Sequence, residues 1–73
     1  MDRNDDLKMH RIILHLLDGK ESTEEMCEYV IDLMRELSNL KKDSSGMTPG
    51  KYMIYTDIWG KCMLFCLLVW RYE

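Results

Sequence analysis

Nine consecutive apolar residues, Cys62 to Trp70, stand near the C-terminal end of this 73-residue chain, and they constrain its fold more than any other feature. A helix that is apolar on every side is stable only when buried all round or embedded in lipid. Nine residues are too few to cross a bilayer, which takes about 20. Extending the run back to Ile54 gives seventeen residues, but Asp57 and Lys61 interrupt it, which argues against a transmembrane segment. A chain this short buries only roughly 60% of the surface its unfolded form exposes. Two short upstream helices can cover one or two faces of the run, and the excess, chiefly Met63, Leu64, Phe65, Leu67 and Leu68, is expected to meet a second protein surface.

The upstream sequence supplies those two helices. Met9, Ile12, Ile13, Leu16 and Leu17 recur at i, i+3, i+4, i+7 and i+8, one face of a helix over about 5–17, with Asn4 or Asp5 as N-cap. Asp18-Gly19 ends the pattern, since glycine takes the left-handed conformation that commonly closes a helix. Ser22 with Glu25 reads as a capping box that opens a second helix over about 23–41. Its Met26, Val30, Leu33, Leu37 and Leu40 alternate four-three-four-three, while Cys27, Ile31 and Met34 widen the stripe beside them. Five seam positions fall short of a free-standing coiled coil, so a packed bundle helix is expected.

A linker over 42–48 carries Asp43-Ser44-Ser45-Gly46, and Thr48-Pro49 reads as an N-cap followed by proline at the first helical position. The C-terminal element, about 49–71, admits two readings. As a helix it aligns Tyr55, Ile58, Trp59, Cys62, Cys66, Val69 and Trp70 on one face, with a break near Gly60, where glycine costs about 1 kcal/mol against alanine. As a hairpin it places two strands around a turn near 57–60, an α+β, winged-helix-like fold favoured by the β-branched and aromatic residues of 52–55. The leucine, methionine and cysteine content of the second half favours helix. The fold class expected is therefore all-α: one small domain, 1–73, of three helices associating as a helical homodimer.

Function is less legible than fold. Net charge is −3 and uneven: residues 1–20 balance, 21–36 carry six acids against Arg35, and 37–73 carry five bases against three acids. No basic stripe is concentrated enough to read as a nucleic-acid site. Lys41, Lys42, Lys51 and Lys61 could contact phosphate only if folding assembled them on one face, which the hairpin reading would require. Three cysteines cannot pair completely within one chain, and the charged N-terminus, Met1-Asp2-Arg3-Asn4-Asp5-Asp6, has no apolar signal region. Both features predict reduced thiols in an intracellular protein, cytoplasmic or nuclear.

Each candidate for chemistry has a plainer structural reading. Cys62 and Cys66 lie one helical turn apart and could share a soft metal, but knuckle spacings are absent, and His10 and His15, five apart, point to different faces. Core packing explains these cysteines better. Cys27 sits among Glu24, Glu25 and Glu28, the opposite of the electropositive setting that activates a thiol. Glu24, Glu25, Glu28, Asp32 and Glu36 form a solvated acidic face, or a docking surface for a basic partner. Ile13-Leu14-His15-Leu16-Leu17 approaches a leucine-box docking pattern, although core packing accounts for it. No phosphate-binding loop or nucleophile elbow occurs. No metal, cofactor or catalytic residue is expected.

The expectation is a non-enzymatic binding or adaptor protein, small and accessory like those that viruses encode, whose partners are itself and another protein. Tyr55, Ile58, Trp59, Phe65, Val69 and Trp70 are its candidate interface anchors, since large aromatic side chains carry most hot-spot energy. Nucleic acid and membrane rank behind these partners.

Overall fold

The computed structural model describes residues 3–42 and 46–72, with side chains as far as Trp70, so Asp43-Ser44-Ser45 of the expected linker lie outside the described residues. It contains three helices, α1 (Arg3–Leu17), α2 (Glu24–Lys42) and α3 (Pro49–Tyr72), and no strand among the described residues. The chain is all-α. The winged-helix alternative therefore fails, and so does the break at Gly60: α3 runs unbroken through it. A single glycine costs a helix about 1 kcal/mol, less than the packing on either side of it returns. Ile58 and Cys62, which flank Gly60, are both fully buried.

Local chemistry sets each boundary. The N–H groups of Gly19 and Lys20 donate to the carbonyls of Leu16 (3.1 Å) and His15 (3.3 Å), closing α1 with the paired bonds of a Schellman motif. Gly19 takes φ +83°, which an L side chain would resist. Asn4 and Asp5 are not the N-cap of α1 but belong to its first turn, where Asp5 and Asp6 face the positive end of the helix dipole. α2 starts one residue later than the capping box implies. Thr23 is its cap, accepting the Met26 N–H on Oγ1 at 3.2 Å, and the third helical position is thus Met26 rather than Glu25. At α3 the cap is as read: Thr48 Oγ1 accepts from Lys51 N–H at 3.4 Å, with Pro49 at the first helical position.

The core is one cluster drawn from all three helices: Met9, Ile12, Ile13 and Leu16 of α1; Val30, Leu33 and Leu37 of α2; Ile58, Cys62 and Phe65 of α3. Ile31, expected to widen the α2 stripe, is half exposed, and Leu17 of the α1 stripe is 60% exposed. α3 packs on both other helices, more extensively on α1. Polar contacts join the helices at the rim of the core. Tyr29 donates to Asp5 at 2.6 Å, Lys8 lies over the Tyr29 ring at 4.0 Å, and the Lys61 ammonium pairs with Asp6. The molecule measures 39 × 18 × 18 Å, and the 24 residues of α3, about 36 Å at 1.5 Å per residue, span its whole length. An 18 Å cross-section admits two other helices beside α3, and they cannot enclose it.

Candidate interaction surface

Helical geometry sorts the apolar residues of α3 into an inward and an outward set. Ile58, Cys62 and Phe65, spaced four and three apart, point into the core at 0%, 0% and 4% exposure. Residues on the far side of the helix from that line are left uncovered. Met63, Leu64, Leu67 and Trp70 are therefore exposed, and Trp70 is the most exposed large apolar side chain of the described residues, at 77%. Met53 and Tyr52 continue this surface toward the start of α3.

The six expected anchors divide accordingly. Ile58 and Phe65 are core residues, committed within the chain and unavailable to a partner. Tyr55, Trp59 and Val69 are half-buried against the core, and only Trp70 stands free of it. Of the five residues expected to face outward, Met63, Leu64 and Leu67 do so, whereas Phe65 is buried and Leu68 is half-buried. Phe65 falls inward because it lies seven residues, two turns, from Ile58, and a sequence apolar on all sides gave no sign of which face Ile58 would take.

A cleft of about 140 Å³ opens between the end of α2 and the start of α3, lined chiefly by Leu37, Leu40, Lys41, Tyr52, Tyr55 and Trp59. Sequence reasoning missed Tyr52. The available signal was its position 18 residues before Trp70, five whole turns at 3.6 residues per turn, which puts both on one face of a helix. Beside the cleft, Ile31, Met34 and Trp59 form a shallower apolar depression between the same helices.

The remaining candidates occupy ordinary positions. Glu24, Glu25, Glu28, Asp32 and Glu36 are all exposed, and Arg35 meets Asp32 at 4.0 Å, so this face is solvated. Lys41, Lys42 and Lys51 are exposed, but Lys61 is engaged by Asp6, and the four do not form one free basic face. Burial pushes the Cys62 thiol up to about 11, helped by the neighbouring Cys66 thiol, which keeps it protonated and unreactive at neutral pH. Cys66 is exposed, its Sγ 3.9 Å from the Met34 thioether, and half-buried Cys27 lies 3.9 Å from the Ser22 hydroxyl. His15 Nε2 is 2.9 Å from the Glu21 carbonyl, bracing the turn after α1, while His10 is exposed. Among the described residues no three His, Cys, Asp or Glu side chains converge as metal ligands would. No family model, curated protein or solved structure matches the chain.

Proposed function

We propose that this is a non-enzymatic interaction protein that works by helix packing, through self-association and docking on another protein along the outer side of α3. One observation carries the reading: Met63, Leu64, Leu67 and Trp70 form a contiguous exposed apolar surface at 41–77% exposure on a helix whose other side is already packed. Surfaces of that kind mark association sites, because leaving them in water forgoes about 25 cal/mol per Å² of burial. Methionine and cysteine around the patch suit an adaptable contact. The free thiols Cys27, Cys62 and Cys66 fit a reducing, intracellular setting. Sedimentation of the full chain tests the reading. A dimer at micromolar concentration is expected, and a stable monomer at high micromolar concentration would end the self-association reading.

A second reading, membrane association, is supported by a different observation. Pro49–Trp70, a 22-residue stretch of α3, holds an 18-residue window of mean hydropathy 1.4, long and apolar enough by length and composition to cross a bilayer, and only 17% of that window is buried in the protein. It ranks second because Asp57 and Lys61 lie mid-helix, where a bilayer charges a few kcal/mol for each, and because Lys61 is paired with Asp6 of α1. Flotation with liposomes separates the readings: membrane association predicts that the chain floats and that deleting 62–73 abolishes flotation.

A further inference from the structure

We propose that α3 packs antiparallel against α3 of a second copy, each Trp70 entering the cleft that Lys41, Tyr52, Tyr55 and Trp59 line on the other copy. The proposal rests on the self-association reading and specifies its geometry. A two-fold interface requires a surface that complements itself, so each projecting group needs its receptacle on the same face of the same molecule. This chain has such a pair. Trp70, 77% exposed, is the projecting group near one end of α3, and the cleft lies beside Tyr52 near the other end, five turns away in the same angular direction.

The intervening residues fit the same contact. Tyr52, Thr56, Trp59, Met63, Cys66 and Trp70 follow a four-three-four-three-four spacing, a heptad seam separate from the inward Ile58, Cys62 and Phe65. Its midpoint is near residue 61. Antiparallel pairing about that point sets Tyr52 opposite Trp70, Trp59 opposite Met63 and Thr56 opposite Cys66 of the second copy, so aromatic meets aromatic or methionine at the outer and inner levels and two small side chains meet between them. Asp57 projects away from the seam and stays in water, which avoids an unpaired buried carboxylate. By contrast, the neighbouring line Met53, Asp57, Gly60, Leu64 would bury it. The 140 Å³ cleft is the size of a cavity that holds a benzene ring, enough for the six-membered ring of an indole, and Lys41 at its edge supplies a cation for the ring face.

The test uses the full chain. In the Trp59→Phe variant Trp70 is the sole indole, and the dimer should show blue-shifted emission and several-fold weaker acrylamide quenching than the diluted monomer. Spin labels on Met53→Cys, with Cys27 and Cys66 replaced by serine, should lie about 25 Å apart along the paired helices, against about 10 Å for a parallel pair. Tyr52→Ala and Trp70→Ala, both on exposed residues that folding does not need, should each weaken dimerisation at least about tenfold, with the double variant little worse than either. A dimer by sedimentation in which Trp70 is quenched like free tryptophan, or in which the labels sit at the short distance, overturns the arrangement but leaves self-association standing. A monomeric unsubstituted chain overturns both, and sedimentation alone identifies that outcome.

Discussion

The two sides of α3 both carry apolar side chains and stand in opposite circumstances. On one side Ile58, Cys62 and Phe65 are sealed by α1 and α2, and on the other Met63, Leu64, Leu67 and Trp70 face solvent. Hydrophobicity alone does not distinguish them. The difference is neighbours: a three-helix chain has only two helices to lay against the third, so α3 is covered over the arc they subtend and bare elsewhere. An apolar residue on the covered arc contributes to folding, and one on the bare arc is free to contribute to association. Substitutions should separate into those two classes.

The largest separation is expected between Phe65 and Trp70. Phe65→Ala removes a ring from the core and should cost about 3–5 kcal/mol, enough to unfold a domain of this size in a denaturant titration. Trp70→Ala should leave the denaturation midpoint of the dilute monomer within about 0.5 kcal/mol of wild type, while the sedimentation profile moves toward monomer. A Trp70→Ala chain that unfolds would collapse the distinction between the two sides.

Cys62 gives the next largest effect, and it reads burial directly. Its folded-state pKa of about 11 lies above the ordinary 9.0, so between those values the folded thiol keeps its proton while the unfolded one has lost it. The native state binds more protons there, and stability falls as pH rises. The contribution is complete below about pH 9 and should diminish through pH 11 by an amount on the order of 2 kcal/mol. Guanidinium titrations at pH 8 and 10.5 measure it, and Cys62→Ala should flatten the difference at some cost in overall stability. In the dilute monomer, exposed Cys66 should alkylate at neutral pH under conditions that leave Cys62 unmodified.

Smaller changes sharpen the picture at the edges. Asp6→Asn weakens the ion pair that ties α1 to Lys61, and because both side chains are a little over a quarter exposed, a loss of at most about 1 kcal/mol is expected in thermal unfolding. Gly60→Ala meets no atom within 4 Å and should raise monomer stability by about 0.5–1 kcal/mol through helix propensity. Gly60 lies about 80° round the helix from the Tyr52–Trp70 seam, so the same methyl should leave the dimer affinity unchanged, whereas a dimer packed along Met53, Gly60 and Leu64 would be weakened by it.

Much of the fold was legible residue by residue. The 3.6-residue period of Met9, Ile12, Ile13 and Leu16, and the seam of Val30, Leu33 and Leu37, identified two helices and their buried faces because polar residues on the other sides supplied contrast. Glycine after α1 and Thr48-Pro49 before α3 marked boundaries whose chemistry is local. Where two adjacent hydroxyls competed, at Ser22 and Thr23, pattern chose the wrong one. The deciding quantity there is which oxygen reaches the Met26 N–H, and it differs by one residue of backbone path.

The candidate surface was legible only in outline. The run from Cys62 to Trp70 announced more apolar surface than so short a chain can bury, and that conclusion needs only area and length. Which of its residues face inward was not encoded in the run, because a uniformly apolar helix has no period to read. The tertiary structure decided it through the placement of α1 and α2 against Ile58, Cys62 and Phe65, with Lys61 held by Asp6 at the rim. The cleft beside Tyr52 likewise exists only once the end of α2 and the start of α3 are brought together. Local propensity and total burial are properties of the sequence, whereas the direction a side chain faces is a property of what stands next to it.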